Sequence, residues 1–237
     1  MVDKKDAFAI LLIFAICMGL GNMQERSTLP EFLEGISVRE AIEGKASPLH
    51  SQIAAQFTLI FSAITNFPPT SAQTISQSLL FLSPLILALS SCFLFLSLRF
   101  LGFARAVSAF ATLVFCIPLC AQQFLPGYYS STHLALLPFS ISVALLSKHS
   151  QKAIAGAAIF ASISGYLSPA FGIGFAAAAF SFAISSKKEA LPLAAICAIS
   201  LASAFLSPDF PHLSFALPNL QSFFKQFPAL VSIGLGG

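Results

Sequence analysis

Apolar runs long enough to cross a bilayer, separated by short polar breaks, constrain this chain more than any motif in it. Crossing a ~30 Å hydrocarbon core as helix takes roughly 17–25 residues, and runs near that length recur from residue 7 to residue 206. They are apolar all round, whereas strands of a membrane barrel alternate apolar and polar residues, so helices are the expected element. Hydrophobic residues make up 57% of the chain and charged ones 9%, against about a quarter in soluble domains, and mean hydropathy is +0.86. The expectation is an all-α, polytopic integral membrane protein in which residues 1–237 form a single transmembrane domain. A net charge of +3 is too small to suggest nucleic-acid binding.

One long polar interval, residues 22–50, interrupts the pattern and holds Glu25, Glu31, Glu34, Glu40 and Glu43 with Arg26, Arg39 and Lys45. Thr28, Pro30 and Glu31 give a capping box with proline at the first helical position, and Gly35 supplies a stop. Ser37 and Glu40 repeat the box, with Gly44 as the second stop. Two short helices at the membrane surface are therefore predicted. Residues 48–67 are long enough to cross, but Gln52 and Gln56 place amides one turn apart on one face, and Pro68 and Pro69 end the run.

The distribution of charge decides how that run is placed. Later breaks alternate between basic (Arg99 and Arg105; Lys148 and Lys152; Lys187 and Lys188) and uncharged (around 122–127 and 165–169). Basic breaks two spans apart share one side, the cytoplasm by the positive-inside rule. Lys4 and Lys5 join them only if residues 48–67 do not cross, so that run is read as a juxtamembrane or re-entrant helix within an outer loop, 22–73. About seven transmembrane helices follow, at 7–23, 74–98, 106–121, 130–147, 153–165, 169–185 and 190–206, with the N-terminus cytoplasmic in a cell membrane. The inside then holds eight Lys/Arg and three acids, and the outside four Lys/Arg and six acids. The tail, 207–237, begins outside with Asp209 and His212 and ends without a charged stop, which suggests that the chain is a truncated part of a longer protein.

Several functions are disfavoured. No acid or base falls within a span, whereas ion-coupled pumps keep ionisable groups at mid-membrane. The five cysteines lie in apolar runs without a CxxC pair, and thiols there behave as small hydrophobes. His50, His133 and His212 fall on the outer side but lack metal-binding spacing, so neither a metal nor another cofactor is expected. Tyr128 and Tyr129 suit the headgroup level as interfacial aromatics, and they could also stack on a sugar.

The layout carries a resemblance. Gly44, Lys45, Pro48, Leu49 and His50 precede an apolar juxtamembrane helix, and a span closes on residues 98–105 (LRFLGFAR) before another rich in Ala, Leu and Phe. Over about residues 7–206 the chain resembles the N-terminal half of GT-C-type membrane glycosyltransferases, which use lipid-phosphate-linked sugars. The resemblance implies a carboxylate just after the first span that takes the acceptor's proton; Glu25 stands there, where the family usually has aspartate. Arg26 and Lys45 would offset charge on the leaving phosphate. His50, Tyr128, Tyr129 and His133 would complete the substrate-binding set, with a lipid-linked sugar and membrane lipid as partners. The loop at 125–133 lacks the acids of the metal-dependent branch. A non-enzymatic membrane subunit or small-molecule transporter is the alternative. With residues 22–73 wholly outside, cysteines introduced at Gln24 and at Thr70 should both react with an impermeant reagent; labelling of Gln24 alone would mean that residues 48–67 cross.

Overall fold

The computed structural model describes residues 3–22, 29–123, 131–148, 150–185 and 190–208, and among them every regular element is an α-helix. In chain order these are α1 (Lys4–Asn22), α2 (Leu29–Ile42), α3 (Leu49–Thr65), α4 (Ala72–Phe100), α5 (Arg105–Gln123), α6 (Ser131–Leu146), α7 (Gln151–Leu167), α8 (Pro169–Ser185) and α9 (Ala190–Phe205). Each expected span has its helix. Among the described residues only α4, with 29 residues, is by itself long and apolar enough to cross a membrane. The other helices expected to cross have 16 to 19 residues, or about 24–29 Å of axis.

Two short helices were expected at 28–44, and one continuous helix, α2, is found instead. Gly35 does not stop it, because glycine ends a helix where the chain must turn to positive φ, and none is adopted there. Among the described residues the positive-φ glycines are Gly44 (φ 77°) and Gly102 (φ 88°). Each closes a Schellman turn. Gly44 N–H donates to Ala41 O and Lys45 N–H to Glu40 O; Gly102 N–H donates to Arg99 O and Phe103 N–H to Leu98 O.

α4 is the central post. α1 runs antiparallel along its second half, with Asp6 beside Arg99 and Cys17 beside Ser91. α3 runs antiparallel along its first half, where the Phe57 and Phe81 rings stack at 6.3 Å and Thr58 meets Ser78. α6 lies parallel to α4: Leu134 and Ala135 join Leu79, Leu82 and Ile86 in one cluster, and Lys148 sits over the Phe100 ring. α7, α8 and α9 form a second group around Ala157, Ala161, Phe175, Ala179, Leu193 and Ile196.

Serine, threonine and alanine share the interior with leucines, isoleucines and two fully buried phenylalanines, Phe95 and Phe175, while many other large apolar side chains face out. Ser51, Thr58, Thr74, Ser78, Ser91, Ser108, Thr112, Ser142 and Ser164 are buried, while Ile64 is 75% and Phe110 71% exposed. In α3 the contrast is sharp: Ser51, Ala54, Ala55, Thr58 and Ser62 face inward, and Leu59, Ile60 and Ile64 face outward. Hydroxyls satisfy themselves on the carbonyl one turn back, as Thr58, Ser90, Ser91, Ser97 and Thr112 do. A few bridge helices: Thr58 Oγ1 and Ser78 Oγ lie 2.7 Å apart, and Ser164 Oγ donates to Ala135 O at 2.9 Å.

Small residues set the spacing of α7, α8 and α9. A Cβ on Gly172 would fall 2.8 Å from Gly165 Cα and 2.9 Å from Ala204 Cβ, and one on Gly165 would meet Ser203 Oγ and the Ser200 carbonyl. A Cβ on Gly174 meets nothing within 4 Å. Gly172→Ala should therefore lower stability by about 1–3 kcal/mol through overpacking. Gly174→Ala should be neutral or gain up to about 1 kcal/mol from helix propensity. Thermal unfolding in detergent checks both, and equal effects of the two substitutions would contradict the packing.

Candidate functional site

Three chain breaks meet at one end of the bundle. After the Gly44 turn, residues 45–48 run without regular structure to Pro48 (φ −56°, ψ 151°), which serves as N-cap of α3 without a side-chain cap. Proline at this place ends the preceding stretch and offers no oxygen to the helix start. α7 ends at Leu167, and Ser168, extended at φ −151° and ψ 112°, alone separates it from α8. α9 ends at Phe205 and leads to Pro208. Between them opens a cavity of about 490 Å³ lined by Ser47, Pro48, Leu49, His50, Gln52, Tyr166, Leu167 and Pro208. Its described wall is apolar with a hydroxyl, an imidazole, an amide and a phenol, and none of the described lining residues is a carboxylate.

Of the expected site residues, His50 is brought to this cavity and Lys45 is not. Lys45 Nζ instead pairs with Glu43 at 2.8 Å, and Glu43 also accepts from Arg39 Nε at 3.1 Å. Hydrogen bonding to Lys45, then to Arg39, holds the Glu43 carboxyl below its usual range, and Glu43 in turn raises Lys45. Such exposed pairs stabilise little. Glu25, Arg26, Tyr128 and Tyr129 lie outside the described residues, as does the side chain of His133 in α6. Among the described residues no three His, Cys, Asp or Glu side chains gather as metal ligands.

Tyr166, Gln52 and Ser47 were not singled out for the site, although the signal for two of them was present. Gly165 to Pro169 marked a break, and Gln52 was conspicuous as an amide in an apolar run. Both fall at helix ends that face one another.

The strongest charge cluster lies at the opposite end, where α1 starts and α4 turns into α5. Asp6, 2% exposed, accepts from Arg105 Nε at 2.8 Å and from Arg99 Nε at 3.0 Å. Arg105 also reaches Asp3 at 2.6 Å, and Arg99 donates to the Phe103 carbonyl at 2.6 Å. The Schellman turn at Gly102 brings both arginines to α1. Sequence reading placed these arginines with the N-terminus but gave Asp6 no role; an acid just before an apolar run, with two arginines on the facing turn, was the available sign.

No family model matches the chain, and no curated protein or solved structure matches it.

Hydrogen bonding from Arg105, opposed by burial and helped by Arg99 and the Asp3 N–H, lowers the Asp6 carboxyl from 3.8 to about 2. A carboxyl depressed in the folded state stabilises fully above its unfolded value, and that stabilisation is lost as pH falls through the folded one. Asp6→Asn should lower the unfolding midpoint by a constant amount above about pH 4, and the gap to wild type should close towards about pH 2. A gap unchanged at about pH 2 would contradict the ion cluster as drawn.

Proposed function

We propose that the chain is a polytopic membrane protein with seven spans and a cytoplasmic N-terminus. It works as a GT-C-type glycosyltransferase on a lipid-phosphate-linked sugar at the outer face, or as a degenerate relative that still holds such a carrier. Three features support the placement. Asp6, Arg99, Arg105 and Lys148 gather at one end of the bundle. α2, with Arg39 and the Glu43 and Lys45 that follow it, and α3 pack on the first half of α4, away from that end. Large aliphatic and aromatic side chains cover the helices' outer faces, as a hydrocarbon solvent favours.

The observation that carries the functional reading is the cavity itself. Of the segment that bears the family-like pattern, Pro48, Leu49 and His50 line its wall, with Tyr166 and Leu167 from the end of α7. A lipid-linked sugar needs such a place: apolar surface beside the headgroup level, and neutral polar groups for a sugar or its phosphate. In this reading Glu25 follows α1 on the same side and takes the acceptor's proton as the sugar leaves phosphate. Lys45 screens the outer rim through its pair with Glu43 and does not touch the donor.

One observation favours the second reading, a non-enzymatic membrane subunit or small-molecule transporter. Among the described residues no carboxylate lines the cavity, so the described part of the site supplies no carboxylate base. The two readings separate on turnover. In proteoliposomes with a polyprenyl-phosphate sugar, Glu25→Gln should lose about 10²–10⁴-fold of transfer, while Glu40→Gln should change little at equal folded yield. Near wild-type transfer by Glu25→Gln would remove the proposed base. Absence of transfer from the wild type itself would favour the subunit or transporter.

A further inference from the structure

The end of the bundle that holds Asp6 carries more cations than its acids can answer. Asp6 accepts from Arg99 and Arg105, and Arg105 also reaches Asp3, so these two acids and two arginines offset one another. Lys4, Lys5, Lys148 and Lys152 stand at the same end, all exposed. Among the described residues no ion pair includes any of them. Lys148 is held by something else: its ammonium lies over the Phe100 ring, 5.2 Å from the centroid.

That contact sits at the mouth of a groove of about 140 Å³ between α4 and α6. Phe93, Leu96 and Phe100 form one wall, at spacings that share a face of α4. Ile141, Leu145 and Lys148 form the other; Lys148 N–H still donates to the Leu145 carbonyl at 3.1 Å, so helical spacing carries through to it. Ala144, the one small side chain in the lining, leaves room between the walls. The five large apolar residues are half-buried, and the lysine is exposed. The groove is therefore apolar along its length and cationic at the bundle end. A small soluble anion would leave the apolar walls unused, and a lipid without net charge would leave the ammonium unanswered. A lysine of this kind lays its stem on apolar surface and keeps its ammonium at the headgroup level. Basic pockets between spans on the cytoplasmic side suit the headgroups of anionic lipids.

We propose that the groove between α4 and α6 seats an acyl chain of one anionic phospholipid, with Lys148 answering the charge of its headgroup. The occupant is a lipid of the surrounding leaflet, at the opposite end of the bundle from the cavity beside His50. The proposal rests on the membrane placement given above, with this end cytoplasmic, and it needs no sugar transfer.

The chain contains no tryptophan, so Phe100→Trp puts a single fluorophore in the groove wall and keeps a ring beneath Lys148. Phe110→Trp, on the exposed face of α5, reports contact with the surrounding lipid in general. Each full-length variant is reconstituted into phosphatidylcholine vesicles and titrated with either phosphatidylglycerol or phosphatidylcholine carrying the same brominated chains, which quench indole on contact. For Phe100→Trp, brominated phosphatidylglycerol should reach half-quenching at about five-fold lower fraction than brominated phosphatidylcholine, the weight of one lysine near an anionic headgroup. Phe110→Trp should be quenched by both lipids alike. Lys148→Gln, added to Phe100→Trp, should erase the preference. Lys5→Gln removes the same charge from a residue that does not line the groove, and should leave the preference in place. Equal quenching of Phe100→Trp by the two lipids, a preference that survives Lys148→Gln, or an equal preference at Phe110→Trp overturns the site while the membrane placement stands. If neither lipid quenches Phe110→Trp, the placement itself fails and the site with it.

Discussion

Close approach of helices through small and hydroxyl-bearing side chains is the constraint on which the rest of this molecule depends. Apolar side chains gain nothing by burial when the solvent is itself hydrocarbon, so association must come from contact and from hydrogen bonds. In the membrane setting proposed above, the chain's packing fits that logic. Gly165, Gly172, Ser200 and Ala204 let α7, α8 and α9 touch backbone to backbone, and α3 turns its serine and threonine face to α4 while its isoleucines look outward. The hydroxyls cost little there because each helix offers its own carbonyls one turn back.

The two ends of the bundle are built for different work. At one end a buried carboxylate binds two arginines and ties the start of α1 to the α4–α5 turn. That cluster is internally neutralised and leaves no obvious demand for a ligand. At the other end the chain is interrupted three times, a proline starts α3 without a cap, and hydroxyls are left unpaired beside a cavity.

Helix positions were legible in the sequence because apolar runs and polar breaks are strong, local signals. Each expected span is matched by a helix whose ends lie within a few residues of the prediction. Gly44 was correctly read as a stop, but Gly35 was not, since glycine signals a stop only where the backbone must adopt positive φ, and sequence does not reveal that. The site was half legible. His50 stood in a recognisable pattern and does line the cavity, whereas Tyr166 reaches it only because α7 ends there, a fact of tertiary packing. Lys45 looked like a phosphate ligand, but the Schellman turn at Gly44 holds it beside Glu43. Asp6 was hidden because its partners lie more than ninety residues away.

The central proposal is that the apolar outer faces meet lipid while Arg39, Glu43 and Lys45 meet water. Spin labels at Phe110, Ile159 and Lys45, in single-cysteine proteins reconstituted into liposomes, test it through collision with oxygen and with a water-soluble nickel chelate. Oxygen should dominate at Phe110 and Ile159, and the chelate at Lys45. Chelate-dominated collision at both Phe110 and Ile159 would contradict the account, because those faces would then be in water.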